Sequence, residues 1–83
     1  MDIKDGSNFD LVRGGVTFNV QAYVDFEGDP PWPLVVEVRV GDEFTDTPWS
    51  EEIEDAQERE DWSRYVDLMI DGHLRRRRVH PDG

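Results

Sequence analysis

His73 and His80 are the only histidines in the chain, so a hydrolytic metal centre would have to be built around them. Catalytic zinc takes three well-placed protein ligands, and no HExxH-like run supplies them. Both histidines fall in a stretch that reads as a final strand, seven residues apart, which sends their side chains to opposite faces. Ser7, Ser50 and Ser63 sit in no nucleophile elbow and have no evident histidine partner. No phosphate-cradling glycine loop occurs, and "DFEGD" lacks the ligand ladder and closing glutamate of a calcium loop. The absence of cysteine excludes thiolate metal sites and disulfides. Carboxylates are abundant, but 20 acids in 83 residues make close pairs unavoidable. A general acid also needs an apolar pocket to raise its pKa, and this chain has little apolar surface to spare. The residues point away from an enzyme, and they call for no cofactor and no metal.

The charge is more informative. Twenty acids face nine bases, a net -11, and Lys4 is the one lysine. Such a chain repels nucleic acid and anionic membrane and is drawn to basic surfaces. Residues 51–61 concentrate the effect: Glu51, Glu52, Glu54, Asp55, Glu58, Glu60 and Asp61 stand against Arg59 alone, a net -6 over eleven residues. As a helix this segment is about 16 Å long, with one net charge per ~2.7 Å. Duplex DNA carries one per ~1.7 Å of axis. Glu51, Glu54, Asp55 and Glu58 lie opposite Ile53 and form one stripe facing solvent. Like charges four apart, Glu51–Asp55 and Glu54–Glu58, each cost a few tenths of a kcal/mol. A basic partner would compensate. So would adaptation to high salt, where acidic, lysine-poor surfaces stay soluble. Trp32 in "PPWP" and Trp49 in "TPW" are candidate interface anchors, or covers for the open end of a small core.

The elements that hold these groups follow from periodicity. Val16, Phe18, Val20, Ala22, Val24 and Phe26 alternate with polar residues, which predicts a half-buried strand. Gly14-Gly15 predicts a two-residue hairpin turn before it, placing Leu11 opposite Phe18 and Phe9 opposite Val20. "GDPPWP" reads as a stiff loop, and "LVVEVRV" as a third antiparallel strand. "TDTPWSEEIEDAQERED" reads as the one helix, with Thr47 as N-cap and Pro48 at its first position. A helix that ran past Asp61 would point Glu60 into the apolar side and Trp62 out among the acids, so an end near Glu60 or Asp61 is expected. Asp71-Gly72 then signals a second hairpin joining "RYVDLMI" to "HLRRRRV", with Asp67 facing Arg76. A helix through Ile70 capped by Gly72 is the competing reading. The expected fold is α+β: a small antiparallel sheet in the order β-β-β-α-β-β, with one acidic helix packed on one face. It forms a single domain over 1–83, with residues 1–6 and 80–83 frayed. No apolar run approaches the ~18 residues of a membrane span, and no signal-peptide core is present, so a soluble, cytoplasmic protein is expected.

Charge and missing chemistry together predict a small non-enzymatic binding protein. It would be an inhibitor or nucleic-acid mimic that occupies a basic, nucleic-acid-binding surface of a partner such as a nuclease, for example of the phage anti-defence or anti-CRISPR kind. The expected contact residues are Glu51, Glu54, Asp55, Glu58, Asp61, Trp32 and Trp49. The alternative is an assembly module that forms a homodimer or docks in a larger complex. Direct nucleic-acid binding through Arg75 to Arg78 is disfavoured, because the other 79 residues carry a net -15.

Overall fold

In the computed structural model, which describes residues 2–25, 27 and 32–79, Gly14 and Gly15 turn the chain at φ +58° and +76°. Both angles favour glycine, and they join β1 (Asn8–Arg13) to β2 (Val16–Asp25) as a tight hairpin. The register is the expected one: Leu11 pairs with Phe18, and Phe9 with Val20. β3 (Trp32–Val40) runs antiparallel to β2, with Val38 opposite Val20 and Val36 opposite Ala22. A two-residue β4 (Glu43–Phe44) completes a four-stranded sheet in the order β1-β2-β3-β4. The "GDPPWP" loop falls largely outside the described residues. So do His80 and the C-terminal end.

The period-two pattern sorts the sheet into two faces. Phe18, Val20, Ala22, Val36 and Val38 are buried on one. The other is polar and cross-linked through side chains: the Asn19 amide donates to Asn8 and Asp10, and the Tyr23 hydroxyl donates to Glu37. The neighbouring Glu37 charge raises the Tyr23 pKa. The segment before β1 is held against the sheet. Gly6 N–H donates to the Ala22 carbonyl, Ala22 N–H donates to the Ser7 carbonyl, and Ile3 packs against the core.

Two helices follow the sheet, α1 (Glu51–Glu58) and α2 (Trp62–Val79): α2 lies on the apolar face, and α1 packs against α2. The class is α+β as expected, but the order is β-β-β-β-α-α, and the second hairpin does not exist. Trp62, Tyr65, Val66, Met69, Ile70 and Leu74 recur at helical spacing, and that stripe runs straight through Asp71-Gly72. Val66 and Ile70 join the sheet's core cluster, and the His73 ring meets Phe18 edge-on at 5.6 Å. A local turn preference worth a fraction of a kcal/mol cannot compete with burial of such a face.

Gly72 therefore serves a different purpose from a turn. A methyl group there would overlap Cγ2 of Thr47, whose hydroxyl donates to the Met69 carbonyl. Gly72 lets the segment before α1 lie against α2. Gly72→Ala gains about 1 kcal/mol in helix propensity. It also forces an overlap costing about 1–3 kcal/mol, because Thr47 cannot rotate without losing its bond to Met69. A net loss of roughly 1 kcal/mol is expected in urea unfolding. A more stable variant would show that the segment does not seat there.

Thr47 is thus not the N-cap. Ser50 is: its Oγ accepts the Ile53 N–H at 3.3 Å, so α1 starts at Glu51 and not at Pro48. The arginine run is helical as well. Arg75 pairs with Asp71 at 2.9 Å and Arg76 with Asp46 at 3.0 Å, while Asp67 meets Arg13 instead of Arg76.

Candidate partner-binding site

α1 ends by changing the hand of the backbone. Glu60 N–H donates to the Gln57 carbonyl and Asp61 N–H to the Ala56 carbonyl, with Glu60 at φ +56°. This is the Schellman ending, in which glycine is the usual left-handed residue. The stop spares Glu60 the core and swings Trp62 into the first turn of α2, as the conflict in the sequence required. Asp61 then caps α2, its carboxylate accepting the Arg64 N–H at 3.4 Å.

The expected contact residues differ in their surroundings. Glu51, Glu54 and Glu58 are exposed along α1, around its buried Ile53 and Ala56. Asp55 is half-buried and already engaged: Arg59 reaches it at 2.9 Å and Arg64, from α2, at 3.1 Å. It acts as a clamp between the helices and does not belong to a free stripe. Asp61 is exposed but has its capping task. Trp49 is 62% exposed, whereas the Trp32 side chain lies outside the described residues.

The arginine hydrogen bond from Arg59, reinforced by Arg64, holds the Asp55 carboxyl below the ordinary range. A depressed carboxylate contributes fully above its unfolded pKa of about 4, and that contribution is lost as pH falls through the lower folded value. Asp55→Asn should therefore destabilise the fold at neutral pH and less at acid pH, where wild type progressively loses the charged clamp too. Thermal melts at the two pH values check this. An equal loss at both would show that the charge is irrelevant.

Two open grooves flank Trp49. The larger, about 880 Å³, lies between the start of α1 and α2, where Glu51 and Glu52 face Arg75, Arg76 and Gly72. The smaller, about 550 Å³, is lined by Leu34, Trp49, Glu54, Glu58, Glu60 and Trp62, with Gln57. Glu60 and Trp62 line this groove without being among the expected contact residues. Their signal was the orientation conflict itself, which marked where the chain turns and brings an acid and an indole to one place. Trp62 also stacks edge-to-face on Tyr65 at 5.5 Å, and burial raises the Tyr65 pKa.

Among the described residues, no group of three or more His, Cys, Asp or Glu is placed to hold a metal ion, and no helix is long and apolar enough to cross a membrane. No protein-family model matches the chain, and comparison with curated proteins and with solved structures likewise finds no match.

Proposed function

We propose that this chain is a non-enzymatic binding protein that presents the outer face of α1 to a basic, nucleic-acid-binding surface of another protein, as a nucleic-acid mimic. One observation carries the reading. Among the described residues, six ion pairs within 4.0 Å use Arg13, Arg39, Arg59, Arg64, Arg75 and Arg76, and none of them touches Glu51, Glu52, Glu54, Glu58 or Glu60. These six arginines are paired elsewhere, and those five glutamates are left to solvent. A surface selected for stability alone would intersperse the signs. An inhibitor of a defence nuclease, of the anti-CRISPR kind, is one form such a mimic takes.

The test is inhibition of a panel of purified nucleases with basic clefts, at several concentrations of duplex DNA. The expected result is competitive inhibition of at least one, weakening steeply with added salt. Inhibition that ignores DNA concentration, or none across the panel, counts against mimicry.

Assembly is a second reading with its own surface. β1 is an unpaired sheet edge, and Val12 on it is 66% exposed. A dimer by light scattering that Val12→Lys dissolves would favour it.

A further inference from the structure

From the smaller groove we infer that the site takes an arginine side chain of the partner. The inference rests on the mimic reading and names the chemistry that one part of its surface recognises. Two kinds of group converge there. Trp49 and Trp62 line it as indoles, and Glu54, Glu58 and Glu60 line it with carboxylates that have no ion-pair partner among the described residues. Indole attracts a cation through its ring quadrupole, most strongly where water is partly excluded. The carboxylates offer charge-assisted hydrogen bonds.

A guanidinium suits both at once. It is planar, so it stacks on an indole, and its fork of N–H donors matches carboxylate geometry. An ammonium is more strongly hydrated and gives up more on entry. Leu34 offers an apolar contact for the methylene stem, which long cationic side chains bury readily. A neutral or anionic ligand would leave the three carboxylates unmatched. Charge complementarity thus selects a basic segment and, within it, arginine.

Glu60 supports the same conclusion. It occupies a left-handed position at φ +56°, which glycine would fill without a steric penalty. Keeping a carboxylate there sacrifices stability at the rim of the groove, the pattern expected of a binding residue.

The test is an NMR titration of the indole N–H signals with the tripeptide Gly-Arg-Gly, with Gly-Lys-Gly and triglycine as controls. The Trp49 and Trp62 signals should shift saturably, with arginine preferred over lysine and triglycine inert. Trp49→Leu, at an exposed position, should weaken binding about two- to fivefold. Glu60→Gly should melt at a higher temperature and yet bind about two- to fivefold more weakly. Asp42→Asn and Glu43→Gln, at exposed positions outside the lining of this groove, should change little. Absent or unsaturable shifts, an equal response to triglycine, or full affinity in Glu60→Gly would overturn the site. Indole signals that move on dilution of the chain alone would assign the groove to a second copy and overturn it as well. Should nuclease inhibition survive in Trp49→Leu while the titration is flat, the groove fails and mimicry stands. Saturable arginine binding without any nuclease inhibited would uphold the groove and reject mimicry.

Discussion

Phe18→Ala is expected to unfold most of the molecules at low salt. Phe18 is fully buried in β2, packs among the sheet core and α2, and meets His73 edge-on. Truncating a buried phenylalanine costs about 3–5 kcal/mol. A domain of this size has about 4–12 kcal/mol in total, and small domains sit low in such a range. The loss also spreads beyond the sheet. His73 Nδ1 accepts the Asp46 N–H at 2.9 Å, so the ring that Phe18 steadies also seats the segment leading into α1. Phe18→Leu, which keeps most of the volume, should cost only about 1 kcal/mol. Urea unfolding followed by circular dichroism checks both. A loss below about 1 kcal/mol for the alanine variant would mean that α2 does not rest on the hairpin.

Reversing Glu51, Glu54 and Glu58 to lysine should abolish partner binding while sparing the fold. All three are exposed and outside every ion pair among the described residues. If each contributes about 1 kcal/mol to a basic partner, losing them costs at least about a hundredfold in affinity, before any repulsion. The fold itself changes little, because surface charges of this kind contribute a few tenths each. The control is an equal reversal elsewhere, at the exposed Asp2, Asp42 and Glu43. It leaves the same net charge, so a specific α1 surface separates the two variants. Acidity that serves only salt tolerance would make them equivalent.

What could be read from the residues, and what could not, has a physical pattern. The β1–β2 hairpin was legible to its register because turn chemistry and alternation agreed at Leu11–Phe18 and Phe9–Val20. α2 was misread because two local signals disagreed. Asp71-Gly72 is a strong turn dipeptide, yet Trp62, Val66, Ile70 and Leu74 need a helix to reach one face. Packing decided in favour of the stripe, and Gly72 found a use in contact with Thr47. The same decision placed Arg64 against Asp55, which no spacing within α1 could reveal. Charge and sequence context singled out Glu51, Glu54, Glu58 and Trp49, and all four are exposed. Glu60 and Trp62 required the left-handed ending of α1, visible beforehand only as an orientation conflict.

The central claim is that the outer face of α1 stands in for nucleic acid, and mutual exclusion tests it most directly. A nuclease from the panel, bound to fluorescent duplex, is titrated with the chain while anisotropy reports bound DNA and sedimentation reports the chain. Wild type is expected to release the duplex as it binds, with the Glu51, Glu54 and Glu58 reversal inert and the control reversal active. A ternary complex of nuclease, duplex and chain would contradict the claim.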